Sequence, residues 1–240
     1  MAVVLRAILP YLKTCGWGFL AFLVGQFAAT AAVILWWRGD VNGMYAQPYD
    51  GVTVTISVLV LNPVTIGVLL LAIRVAGAKA IEYLALVRPR MRDLIVGLVG
   101  IVIIIAATDA ILYLTGRAVV SPFQVISYTS AAQEGWLLPY FFATVIMAPA
   151  GEEALFRGYL FRGFTRPEQT AWPAIVVISL LWTLPHLQYD WTGMSEIFVA
   201  GLFLGWVRWR SGSMLLTFIL HALFNLEGTI ETILQVKYFS

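Results

Sequence analysis

The residues in this chain that could do chemistry are few, and they sit where they are costly to keep. Glu152 and Glu153 are adjacent, and Arg157 follows four residues later, all within a long apolar run. An ionisable group at membrane depth is unfavourable by roughly 2.5–3.5 kcal/mol even on forgiving scales, so such groups are usually paired and usually functional. On a helix Glu153 and Arg157 share a face and can pair, whereas Glu152 is turned roughly 100° away. The spacing thus divides the work: one carboxylate is held as an ion pair and the other is free to face a cavity as a general base. The competing reading is that the three charges only lock helices together.

His186 and His221 are the chain's two histidines, so any chemistry that needs imidazole must use them. His221 and Asn225 share a helical face, where they could hold a water, a metal or a developing oxyanion, or simply glue two helices. His186 follows Pro185, which bends the end of its helix and could aim the ring inward; the competing reading is an ordinary interfacial histidine. Trp182, four residues earlier on the same face, walls that ring. One glutamate and two histidines suffice to activate a water for peptide hydrolysis. They could do so around a divalent metal, or with Glu152 as base and His221 and Asn225 stabilising the oxyanion.

These residues must be positioned by membrane helices. Of 240 residues 60% are hydrophobic and 12% charged, about half the charged share of a soluble domain. The composition predicts an integral, all-α, polytopic transmembrane bundle with a buried polar site and one membrane domain. The lipid bilayer is then a partner; the net charge of +2 argues for no nucleic acid. The single cysteine, Cys15, excludes an intrachain disulfide and a cysteine-based metal cluster.

Apolar runs place spans at about Gly16–Trp37, Val52–Val75, Leu94–Leu114, Trp136–Phe164, Ala171–Leu187 and Ser195–Trp209. A seventh begins near Ser213 and either runs on to Leu234 or breaks at Gly228, which would give an eighth. Asn62-Pro63 predicts a kink in the second span, and Pro149 a bend just before the carboxylates. Residues 116–135 read as a polar connection, and Asp109 reads as either interfacial or lining the bundle, the interfacial reading being favoured. With the N-terminus in the cytoplasm, inner segments hold eleven basic residues (Arg6, Lys13, Arg74, Lys79, Arg88, Arg90, Arg92, Arg162, Arg166, Arg208 and Arg210). Outer segments hold three, Arg38, Arg117 and Lys237. This asymmetry predicts N-in topology. No obvious eukaryotic targeting segment is seen, so the expected home is a prokaryotic plasma membrane.

Taken together, Glu152-Glu153-x-x-x-Arg157, Trp182-x-x-x-His186 and His221-x-x-x-Asn225 resemble the CPBP family. These are the CAAX-protease and bacteriocin-processing (Abi) intramembrane endopeptidases. The resemblance covers roughly residues 136–230; Trp182 departs from the family's usual Phe but keeps an aromatic ring. It implies a catalytic helical core at 116–240 and variable N-terminal transmembrane helices at 1–115. It further implies that Glu152 activates the attacking water, Glu153 and Arg157 support it, His186 helps bind the water, and His221 and Asn225 stabilise the oxyanion. The substrate implied is a membrane-associated protein or peptide. No cofactor is required by this reading, although Glu152, His186 and His221 are candidate ligands for a divalent metal such as zinc. The alternatives are a transporter or proton- and solute-binding protein, or a non-catalytic immunity or scaffold protein. Straight helices leave one difficulty: His186 would lie near the outer end of span five, at a depth that Glu152 and His221 do not share.

Overall fold

The computed structural model describes residues 2–166 and 169–239, with side chains from Ile8 onward; the Arg6 side chain lies outside the described residues. Every described element is helical. Eight principal helices are α1 (Ala2–Trp36), α2 (Gly51–Val75), α3 (Met91–Leu114), α4 (Pro122–Gln133), α5 (137–164), α6 (Trp172–Thr183), α7 (Trp191–Ser211) and α8 (Met214–Tyr238). Two short helices, Val41–Ala46 and Ala80–Tyr83, lie in the connections.

Four segments are long and apolar enough to cross a membrane: Ile8–Trp36, Gly51–Val75, Met91–Leu114 and Met214–Tyr238. The chain is an integral membrane protein. The other helices fall short of that standard for physical reasons. α6 has 12 residues and is about 18 Å long at 1.5 Å per residue, too short for a hydrocarbon layer of about 30 Å. α7 carries Glu196, Arg208 and Arg210. α5 changes its helical type along its length.

α5 is the central element. From Glu153 to Phe161 every residue is buried, as expected of a helix packed on all sides. Its N-terminal part holds a π-helical stretch at Phe142–Met147, its middle a regular turn at Ala148–Glu153, and its C-terminal part a second π stretch at Ala154–Leu160. Pro149 explains the first. A proline lacks the N–H and its ring collides with the carbonyl four residues back; a wider turn relieves the collision. The expected bend is therefore taken up as a π-bulge, a device frequent at functional sites.

Around α5 the other helices approach closely. Gly151 lies so near the Asn62 carboxamide of α2 that a methyl group there would overlap it. α2 itself runs through Pro63 as one helix, with Asn62 Nδ2 donating to the Val58 carbonyl at 3.0 Å. α8 is unbroken through Gly228, so no eighth segment starts there. Its start is tied down by Met214 N–H to the Ala85 carbonyl (3.0 Å) and Ser213 Oγ to the Val87 carbonyl (2.6 Å).

One expectation needs correction. Residues 116–135 are not a plain polar connection, because 122–133 form α4. Ser121 and Gln124 cap it reciprocally, and Pro122 occupies the first turn, a strong helix-start signature. Arg208, counted among the basic residues of the inner segments, is buried and donates through Nε to the Arg157 carbonyl at 2.9 Å.

Candidate active site

Regular helical spacing brings Glu153 and Arg157 together. Arg157 Nη1 donates to Glu153 Oε1 at 3.0 Å, and both side chains are buried. Arg157 Nη2 also donates to the Gly201 carbonyl of α7 at 3.3 Å, and its guanidinium lies 4.2 Å from the Trp182 ring centre. The pair is thereby neutralised and covered, but Glu153 Oε2 and Arg157 Nε are buried without a hydrogen-bond partner among the described residues, so the burial of charge is only partly compensated.

The same Glu153 oxygen meets His221 of α8, at 2.9 Å from Nδ1. The contact assigns the proton on Nδ1 to Glu153 and turns Nε2 the other way. Nε2 lies 3.9 Å from Glu152 Oε2. A carboxylate that orients an imidazole, whose other nitrogen faces the reacting group, is a recurrent catalytic arrangement. Spacing within α5 could not reveal this, because it depends on how α8 is rotated against α5.

Glu152 points elsewhere, as its offset on the helix requires. Its side chain is 23% exposed and lines a cavity of about 250 Å³. The walls of this cavity include His186, His221, Asn225 and Trp182, so all four candidate catalytic residues open on one space. Trp182 Nε1 donates to Glu152 Oε2 at 2.5 Å. A second cavity, of about 210 Å³, lies between α1, α2 and α5 and shares Glu152, Trp182 and His186 with the first.

His186 reaches the site because α6 is short. The helix stops at Thr183, and the turn that follows carries Pro185 and His186 to the cavity, which Gln188 and Tyr189 also line. The expected span Ala171–Leu187 is thus helical only over Trp172–Thr183. His186 Nδ1 donates to the Trp182 carbonyl at 2.8 Å, so in the neutral ring Nε2 is the acceptor. The Trp182 ring stands edge-on to both imidazoles, at 5.6 Å from His186 and 5.1 Å from His221.

Asn225 has a specific reason to be where it is. In the π stretch the Ala148 N–H reaches the Ala143 carbonyl, five residues back. At that spacing the Thr144 carbonyl would need an N–H from residue 149, which is proline and has none. Asn225 Nδ2 supplies the missing donor at 2.9 Å. One amide hydrogen is committed to this bond; the other remains for the cavity.

Three further points depart from expectation. The ligand atoms of Glu152, His186 and His221 do not all lie within 4.8 Å of one another; the described group that meets that distance is Asp109, Glu227 and Glu231. Since Glu152 and His221 approach to 3.9 Å, His186 is the member that stands off, and the three do not fit a three-ligand metal site as placed. Asp109 follows the less favoured of its two readings: it lines the cavity with Glu196, Glu227 and Glu231. Trp182, expected only as a wall, is bonded to Glu152.

With this geometry in view, comparison with known proteins is informative. The family model described as Rce1-like, type II CAAX prenyl endopeptidase, matches residues 134–226. That segment is Rce1-like. It contains every motif residue from Glu152 to Asn225 and agrees with the resemblance to CAAX proteases. An uncharacterized 24.3 kDa protein of Escherichia coli is 40% identical over 78 residues, which are 32% of this chain and 36% of that protein. The chain thus spans about a third of the length of this curated relative. No solved structure matches.

Proposed function

We propose that this chain is an intramembrane endopeptidase that hydrolyses a peptide bond of a membrane-associated protein or peptide. The observation that carries the reading is the placement of Glu152. It is the member of the glutamate pair that opens on a cavity, and it shares that cavity with both imidazoles.

In this reading Glu152 takes a proton from a water in the cavity, and the resulting hydroxide attacks the scissile carbonyl carbon. His186 Nε2 accepts from the same water and helps to hold it. Charge that develops on the carbonyl oxygen meets the second amide hydrogen of Asn225. His221 Nε2, whose ring is held at Nδ1 by Glu153, adds a second donor to that oxygen when it carries a proton. The proton held by Glu152 then passes to the leaving amine, so the base is regenerated. Residues 116–240 form the catalytic core, and 1–115 form the more variable wall. The four long apolar helices cross the membrane, α5 and α7 add further crossings, and the short α6 enters the bundle without crossing the membrane, with the N-terminus in the cytoplasm of a prokaryotic plasma membrane.

The test is mass spectrometry of membrane peptides incubated with wild-type protein or Glu152→Gln in proteoliposomes. New termini are expected from the wild type alone, and unchanged cleavage by the variant would remove the proposed base.

One observation favours a second reading. Asp109, Glu196, Glu227 and Glu231 line the same cavity, a setting suited to a proton- or solute-binding membrane protein. Proton or solute flux in liposomes, with no hydrolysis of any peptide, would select it.

A further inference from the structure

We infer that Trp182 is a positioning residue for Glu152: its indole N–H holds one carboxylate oxygen and thereby presents the other to the cavity. The inference rests on the peptidase reading for its catalytic consequence, but the contact itself stands on geometry.

A glutamate side chain has three rotatable bonds, and a base that wanders samples unproductive positions. Trp182 Nε1 lies 2.5 Å from Glu152 Oε2, and a neutral donor to a carboxylate makes a charge-assisted bond, stronger than a neutral pair. His221 Nε2 faces that same oxygen at 3.9 Å. Among the described residues no hydrogen bond reaches the other oxygen, Oε1, so it is the one left for a water or substrate.

The indole is a rigid anchor. It is 2% exposed, the Arg157 guanidinium covers its face at 4.2 Å, and the two imidazoles stand at its edges. α7 closes behind it at Gly201, where an added Cβ would come within 3.1 Å of the ring. A residue confined in this way can aim its single N–H only at Glu152. Phenylalanine would keep the ring contacts and lose the donor.

The experiment compares wild type with Trp182→Phe, with kcat and KM measured separately on a cleaved membrane peptide. A positioned base predicts a fall in kcat on the order of 10- to 100-fold, with KM within about twofold. An unchanged kcat, or a loss confined to KM, would overturn the assignment. A second measurement does not depend on activity or on the folding of that variant. In 15N-indole spectra of the detergent-solubilised protein, Glu152→Ala should move one indole proton signal upfield. Distant Lys79→Ala should move none. If no indole signal responds to Glu152, Trp182 does not hold it. If the wild type hydrolyses no peptide, the peptidase reading falls, and the indole spectrum still decides the contact.

Discussion

The two faces of α5 carry neighbouring carboxylates in opposite surroundings. Glu153 is on the dry face, fully buried, paired with Arg157 and bonded to His221. Glu152 is on the wet face, partly exposed in a cavity and fixed at one oxygen by Trp182. A carboxylate sealed from the cavity, with Oε1 shared by Arg157 and His221 and Oε2 buried without a hydrogen bond among the described residues, can only orient its neighbours. One whose second oxygen opens on a cavity can act on something else. About 100° of helix rotation puts identical side chains in a sealed ion pair and in an open cavity, and the proposed function gives the second the reaction.

This contrast breaks most sharply at Glu152. Glu152→Gln is expected to lower turnover on the order of 10³- to 10⁴-fold, the upper range for losing a general base. The thermal midpoint should barely move, because the cavity side chain bears little packing. Equal losses of activity and stability would mean that both faces are structural.

On the dry face the expectation is reversed. Arg157→Met leaves Glu153 as an uncompensated buried charge, and breaking one partner of a buried pair is destabilising by about 3–5 kcal/mol. Chemical or thermal unfolding in detergent would read this as a large drop in midpoint. A variant that melts with wild type would show that Glu153 does not depend on its pair.

Asn225 joins the faces, since it lines the cavity and completes the backbone of α5. Asn225→Ala should be destabilising by about 1–3 kcal/mol, because the Thr144 carbonyl loses its donor. The same substitution in a Pro149→Ala background should be smaller, because residue 149 would then supply an N–H. A double-mutant cycle with no coupling would disprove that link.

The smallest effect is expected where the same chemistry is exposed. Lys79 and Glu82 form an ion pair at 3.5 Å, with side chains 84% and 72% exposed. Solvent screens such pairs, so Lys79→Ala should leave the unfolding midpoint within experimental error.

Much of this site was legible in the sequence because charge is rare inside apolar runs. Glu152, Glu153, Arg157, His186, His221 and Asn225 stand out there, and the i,i+4 rule pairs Glu153 with Arg157 without any structure. The helix start at Ser121-Pro122 was legible too, through Gln124 three residues after the cap, but polarity argued for a loop. What could not be read depends on rotation between elements. The Trp182–Glu152 and His221–Glu153 bonds each join two helices, and no spacing within one helix specifies the other. The short α6 was hidden because Leu184-Pro185 is apolar enough to continue a span, although the backbone turns there. The interfacial reading of Asp109 is favoured by its place near the end of a run, and only the packing of α3 against α8 and α7 brings it to the cavity.

The wide turns of α5 have a bearing on how this protein could change over time. Each accommodates one residue beyond the regular winding, so trimming a single residue between Phe142 and Met147 could restore an ordinary coil without unravelling it. Everything upstream would then slip in phase against Glu152, and the Thr144 carbonyl would leave its place opposite Asn225. A one-codon deletion of this kind would disarm the protein while preserving its fold, and in lineages that retain the reaction such deletions should be absent from this stretch.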